Sequence, residues 1–186
     1  MTIKKGVNWG ELVAAREDGL VARGDLAREL GFVDGVTIES KQWLRLPLDL
    51  IDVVAVDEWG RRHERTFATW LEAGGLLRGE YCIVSSTSFV RRRRIFSRAH
   101  PNDGRLDWLV IEPSMSMRQR WGFRRRTRSE THLPHPLVDI GTGPTMSCKF
   151  SHPVTVRFES SVPIKAVVEL TAIIRPDATV THIPAP

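Results

Sequence analysis

From Val36 onward the chain breaks into short β-rich runs separated by turn residues, a pattern that admits little besides an antiparallel sheet. Val36-Thr37-Ile38 and Leu48–Val56 read as strands, and Asp57-Glu58-Trp59-Gly60 supplies a hairpin turn into His63–Trp70. Pro47 marks a strand start or edge, because it has no amide hydrogen to give to a ladder. Glu72-Ala73-Gly74-Gly75 reads as loop and Tyr81-Cys82-Ile83-Val84 as a buried strand. Leu137–Ile140, Thr145–Phe150, Val154–Phe158, Val167–Ile174 and Thr179–Ile183 supply further strands. Runs of this length and spacing predict a mainly β protein, an antiparallel two-layer β-sandwich with a short helical region.

One run has a sharper texture. Ala99-His100-Pro101-Asn102-Asp103-Gly104-Arg105 reads as a turn feeding the strand Leu106–Ile111. Pro101 fixes its own φ, Asn102 and Asp103 can bond the local backbone, and Gly104 takes a positive φ cheaply. Leu106, Trp108 and Val110 alternate with Arg105 and Asp107, the period of a half-buried strand.

Helix signals are few. Pro113-Ser114 offers a start for a helix over Ser114–Arg128, with Met115, Met117 and Trp121 toward one side. Arg118, Arg124, Arg125 and Arg128 fall on other faces, and Gly122 weakens the helix enough that two short turns fit as well. Residues 1–35 read as an N-terminal arm, loop plus one short helix over Leu26–Leu30 that Asp25 caps and Gly31 ends. In that arm Trp9 and Phe32 read as packing residues. Residues 36–186 then form the sandwich domain.

A chain of 186 residues, 41% hydrophobic and 26% charged, is large enough for one domain with a real core. No stretch approaches the roughly 18 uninterrupted apolar residues of a membrane span. Met1-Thr2-Ile3-Lys4-Lys5-Gly6 has no apolar run behind it, so no signal peptide is expected. The expected location is cytoplasmic, with association at a membrane periphery. Cys82 and Cys148 allow at most one bridge, and Cys82 in its apolar run reads as a small core residue.

The net charge of +5 is unevenly placed. Residues 91–128 hold twelve Arg against Asp103, Asp107 and Glu112, whereas the flanking parts carry more acids than bases. Arg91-Arg92-Arg93-Arg94 and Arg124-Arg125-Arg126 dominate that excess, which makes an anionic partner the natural expectation. Phe89, Phe96, Trp121 and Phe123 lie among these arginines and could stack on bases if the partner were nucleic acid. The plain alternative is a solvated basic face with the aromatics in the core.

The turn-and-strand run resembles the Asp-Gly-x-Leu-Asp segment in the C-terminal domain of diacylglycerol-kinase-like lipid kinases. The resemblance extends to Trp70–Phe89, and to Ser114–Pro136 with its arginine run and Thr131-His132-Leu133-Pro134-His135-Pro136. It takes in Val154–Pro184, where Arg175-Pro176-Asp177-Ala178 stands in place of the family's turn before its last strand. Coverage begins near Leu46. The resemblance implies a structural Mg²⁺ held by Asp103 and the backbone carbonyls of His100 and Arg105. One carboxylate, carbonyls and retained waters form a reasonable set for that hard cation; the plain alternative is an Asp that bonds its own turn.

The departures from the family are as informative. The family's catalytic base sits on a turn that corresponds here to Glu159-Ser160-Ser161, which places Ser161 where the carboxylate belongs. A serine near its free pKa cannot accept a proton at neutral pH without a partner, and Glu159 could substitute only after a shift of register. Ser86 stands where relatives have Asn. The family's nucleotide-binding domain, with its Gly-Gly-Asp-Gly-Thr loop, has no counterpart: Gly74-Gly75 runs into Leu76-Leu77, and Gly141-Thr142-Gly143 is too short. Phosphoryl transfer depends on cradling phosphates and metal, so independent kinase activity is not expected.

Three readings follow. The leading one is a stand-alone, non-catalytic relative of the lipid kinase C-terminal domain that binds an anionic lipid, membrane surface or protein partner through its arginines. A second is a lipid kinase subunit that uses ATP only when a separate nucleotide-binding chain completes it. A third is a nucleic-acid-binding module. His132 and His135, with no Cys or Glu beside them, read as turn residues rather than zinc ligands, and His100 and His152, each before a proline, read the same way.

Overall fold

The computed structural model describes residues 11–13, 20–21, 24–31, 43–159 and 161–184. The strand expected at Val36–Ile38, with Trp9 and Phe32, lies outside them. In chain order the elements are β1 (Glu11–Val13), β2 (Leu20–Val21), α1 (Gly24–Glu29), β3 (Trp43–Asp57), β4 (Arg62–Phe67), β5 (Trp70–Gly75) and β6 (Arg78–Ser85). There follow β7 (Phe89–Val90), β8 (Arg93–Arg94), β9 (Leu106–Ile111), α2 (Met117–Arg126), β10 (Val138–Gly143), β11 (Thr145–Phe158) and β12 (Ile164–Pro184).

Ten strands join in one sheet, in the path β1-β3-β12-β11-β5-β6-β9-β10, with β4 beside β3 and β2 parallel to the end of β12. All other pairings are antiparallel. β11 carries the chain from one layer to the other. Thr145–Lys149 pair with β12, the register slips through the segment containing Pro153, and Val156–Phe158 pair with β5. Proline fits such an irregularity because it gives no hydrogen to a ladder.

The sheet thereby folds over itself into a two-layer sandwich. Ile51, Val53 and Ala55 of β3 and Leu170, Ala172 and Ile174 of β12 share one core with Leu71, Cys82, Val84 and Leu106 from the facing layer. Strand alternation puts the intervening residues Trp70, Tyr81, Ile83, Leu109 and Ile111 on the opposite face. There they pack with Phe123 of α2 and with Val90, Ile95 and Phe96. Strands β5, β6 and β9 are thus covered on both faces, which explains the unbroken apolar run Tyr81-Cys82-Ile83-Val84. The expected half-buried β9 is corrected on the same ground.

Other expectations shift in detail. Glu72-Ala73-Gly74-Gly75 is strand, not loop: Glu72 and Ala73 pair with Ile83 and Cys82, and the glycines mark a bulge. Gly74 has φ +81°, and a Cβ there would fall within 2.0 Å of the Glu80 carbonyl oxygen. Pro47 stands inside β3 opposite Val180, on the stretch between the registers of β1 and β4. Thr145–Phe150 and Val154–Phe158 merge into one strand, as do Val167–Ile174 and Thr179–Ile183, the breaks surviving as irregularities in register.

The arm is built into this frame through α1 and the turn after it, whose Leu26 and Leu30 pack on Leu46, Leu48 and Ile183. Asp25 does not cap α1 as expected. Its buried carboxylate accepts from the Trp70 indole at 2.9 Å and from the Arg92 amide at 2.8 Å, while Glu159 accepts from the Asp25 amide at 2.8 Å. α2 is one continuous helix, opened by a capping box between Ser116 and Gln119. Its buried side is Arg120 and Phe123, the reverse of the expected Met117–Trp121 side, which faces outward. Cys82 and Cys148 are both free thiols; the neighbouring Cys148 and burial push the Cys82 thiol up. No helix among the described residues is long and apolar enough to cross a membrane.

Candidate anion-binding face

Two arginine runs, distant in sequence, meet on the covering layer. The first forms the β7–β8 hairpin, whose two-residue turn is Arg91-Arg92, with φ +50° and +64°. Such a turn favours Asn-Gly, because both central residues need positive φ. Here tertiary bonds hold it: the Arg92 amide donates to Asp25, and Arg91 pairs with Glu72 at 2.8 Å while lying over the Trp70 ring. Glu72 is held in turn by the Tyr81 hydroxyl at 2.7 Å. Burial and the Glu72 charge push that phenol far up, so it stays protonated and keeps the hydrogen it donates.

The second run ends α2. The helix C-terminus carries a partial negative charge, which Arg93 of the hairpin answers. Its guanidinium donates to the Arg124 carbonyl at 3.1 Å and to the Thr127 hydroxyl at 3.0 Å. Arg94 reaches Glu130 at 3.5 Å. Burial and the neighbouring charges of Arg124 and Arg128 push the Arg93 guanidinium down from its usual value. Arg124, Arg125 and Arg126 are exposed.

Arg120 is not part of this surface. It is 1% exposed and donates to the carbonyls of Met115 at 2.8 Å, Glu112 at 2.9 Å and Leu76 at 3.2 Å, fastening α2 to the turn before it and to the β5–β6 hairpin. Burial lowers its pKa. One of the twelve arginines is therefore structural, and nothing in the run distinguishes it by sequence.

The outward side of α2 is unusual in a different way. Met117 and Trp121 are 66% and 57% exposed, and they share a shallow concavity with Arg118, Arg125 and Arg126. None of these three arginines has a carboxylate within ion-pair distance among the described residues. Of the four aromatics that sequence places near the arginines, Trp121 alone is well exposed; Phe96 and Phe123 are buried and Phe89 is partly so. His132 is also buried, donating Nε2–H to the Ile95 carbonyl at 3.0 Å with its ring edge-on to Phe123.

The turn His100–Arg105 bonds elsewhere. The Asp103 carboxylate accepts from the Arg105 amide at 3.0 Å through one oxygen, which leaves the other free among the described residues. Burial and the Asp49 charge push Asp103 up, and Asp107 is pushed up to about 6 by burial and by Asp103. Asp49, 1% exposed, was not foreseen. It accepts from the Gly104 amide at 2.7 Å and from the Asp177 amide at 2.9 Å, tying this turn to the bulge in β12. No cluster of three or more His, Cys, Asp or Glu that could hold a metal occurs among the described residues. Asp103 keeps one carboxylate oxygen for a cation, and a lone carboxylate suits a Mg²⁺ that retains most of its water. Ser161 is exposed, and Glu159 is spent on the start of α1.

No family model matches the chain, and no curated protein does. Among solved structures the chain is similar to a protein of Bacillus anthracis strain Sterne provisionally assigned as a diacylglycerol kinase. That match has a TM-score of 0.45 and 9% identity, and covers 75% of this chain and 41% of the other. A second structure, described as a diacylglycerol kinase from the same strain, matches with a TM-score of 0.43 and 9% identity. It covers 76% of this chain and 55% of the other. The chain thus spans about half the length of the structures it matches, or less.

Proposed function

We propose that this domain is a non-catalytic module that docks on an anionic lipid surface through the outward side of α2. The observation that carries this reading is the exposure of Met117 and Trp121 among Arg118, Arg125 and Arg126. An exposed indole and thioether cost free energy in water and gain it at the boundary between headgroups and acyl chains. Arginines beside them add about 1 kcal/mol each near an anionic leaflet. Nucleic acid would use the same charge, but stacking needs several accessible rings, and Trp121 alone is well exposed.

The residues on the turn after β11 support a lack of catalysis. Glu159 spends its carboxylate on a helix start, Ser161 offers no base, and no phosphate-cradling glycine loop occurs in the sequence. The test is flotation with vesicles. Trp121→Ala together with Arg125→Gln and Arg126→Gln should abolish binding to anionic vesicles without lowering the melting temperature, because these side chains make no hydrogen bond or ion pair among the described residues. Unchanged flotation of that variant would remove the reading. ATP-dependent phosphorylation of diacylglycerol by the purified chain would overturn the non-catalytic part.

A further inference from the structure

The hairpin, the end of α2 and the outer face of β5 enclose a cavity of about 510 Å³ lined by Arg91, Arg93, Arg124 and Arg157, with Glu72 and Tyr81. Arg157 comes from β11, where it stands directly opposite Glu72 of β5. We infer that this cavity is a binding site for a phosphate dianion, carried either by a small phosphomonoester or by a phosphorylated lipid headgroup.

The charge balance comes first. Four guanidiniums face one carboxylate, and that carboxylate is spent on Arg91. Arg93, Arg124 and Arg157 have no carboxylate partner among the described residues. Like charges gathered where water is partly excluded raise the energy of the empty site, and an anion removes that cost.

Geometry comes second. Arg93 is pinned by the Arg124 carbonyl and Thr127 hydroxyl, and Arg157 by the Gly74 carbonyl at 3.1 Å. A guanidinium has five N–H donors in a rigid fork, so each keeps donors for a guest while its position is already fixed. Fixed forks bind phosphate oxygens in pairs, with little ordering left to be done on binding. The Arg91-Arg92 turn, with two arginines at positive φ, is a backbone state that tends to persist where function requires it.

Size and sign narrow the ligand. The space exceeds a bare phosphate and accommodates a phosphate with a small organic group, and Glu72 discriminates against a second anion beside Arg91. A dianion should be preferred over a monoanion, so affinity should rise through the second phosphate ionisation near pH 6.

The site does not depend on the docking role of α2, and the experiment separates the two. Titration calorimetry of the purified chain with inorganic phosphate and glycerol 3-phosphate should show saturable one-to-one binding that strengthens at least several-fold from pH 5 to pH 7.5. Arg157→Gln and Arg124→Gln should each weaken it about tenfold or more, the loss expected when one charge-assisted contact is removed. The Arg124 side chain makes no hydrogen bond or ion pair among the described residues, so that variant reports on binding with the fold intact. Vesicles of phosphatidylcholine with phosphatidic acid, against equal charge as phosphatidylserine, identify the source. A preference for phosphatidic acid that Arg124→Gln removes assigns a lipid headgroup, whereas binding of the soluble compounds without that preference assigns a free phosphomonoester. Absence of binding to the soluble compounds together with equal flotation on both vesicles overturns the site, as does binding unchanged in both variants. Loss of flotation in the Trp121 variant with phosphate binding intact bears on the docking reading alone.

Discussion

The Arg93 guanidinium donates to the Arg124 carbonyl at 3.1 Å, so two arginine runs 31 residues apart meet at the end of one helix. The contact gives that carbonyl a charged donor beside the Thr127 hydroxyl, which reaches it at 2.7 Å, and sets a cation at the negative end of the helix dipole. Arg93→Ala should therefore lower stability by about 1–3 kcal/mol, the range for hydrogen bonds to a charged group. Urea unfolding measures this. Arg125→Ala, on the exposed side of the same helix, should change stability by less than about 0.5 kcal/mol.

Arg120 should be the costliest arginine to remove. Truncation would remove the charged donor from three carbonyls, of which that of Glu112 keeps the Met115 amide, and would empty a fully buried position. Arg120→Ala is expected to cost about 3 kcal/mol or more, each orphaned group contributing roughly 1–3 kcal/mol. Arg120→Lys should recover part of that loss, because an ammonium reaches fewer acceptors at one time. Equal stability of the parent and Arg120→Ala would contradict the described packing of α2.

Asp49 joins two turns that the sequence keeps far apart. With both amide bonds lost, Asp49→Ala should destabilise by about 2–4 kcal/mol. Hydrogen exchange should speed up at Gly104 and Asp177 together. Faster exchange at one of them alone would mean that the two turns are not coupled through this carboxylate.

His132 gives stability a pH dependence of known sign. With Nε2–H given to Ile95, Nδ1 is a buried acceptor with no partner, and burial holds the imidazole below its ordinary value of 6.5. A folded pKa below the unfolded one means that the unfolded chain takes the proton more readily. The His132 contribution is therefore complete above about pH 6.5 and is lost as pH falls through the folded value. Asp107, raised to about 6, contributes with the opposite sign in this window, so the test is the difference: between pH 7 and pH 5 the melting temperature of the parent should fall relative to that of His132→Gln.

Magnesium binding at the Asp103 turn has a direct readout. If the free Asp103 oxygen and the carbonyls of His100 and Arg105 hold Mg²⁺, millimolar MgCl₂ should raise the melting temperature of the parent and leave Asp103→Ala unmoved. No rise in the parent removes the metal.

The sandwich was legible because strand alternation and turn chemistry are local: Asp57–Gly60 and Pro101–Gly104 fall where their residue types place them. Glu72–Gly75 was misread because two glycines signal a turn, whereas here they relieve a close backbone approach inside a strand. The helix was found but its orientation was not. Hydrophobicity favours burying Met117 and Trp121, yet a guanidinium that satisfies three carbonyls took the inner side. The candidate site was legible only in part. The arginine runs are plain in the sequence, but their convergence, and the participation of Arg157, Glu72 and Tyr81, depends on pairings across many residues that no local signal carries. Asp49 lies between Leu48 and Leu50, yet Asp52 between Ile51 and Val53 is partly exposed, so apolar neighbours in sequence do not single out the buried acid.

The central claim, that α2 presents a membrane-docking face, is tested most directly by flotation of the purified chain with neutral and anionic vesicles at physiological salt. Binding to anionic vesicles alone, surviving that salt and lost in the Trp121→Ala, Arg125→Gln, Arg126→Gln variant, is the expected result. An apolar residue seated in the interface resists screening that would dissolve a purely charged contact. No flotation at either low or physiological salt would contradict the claim.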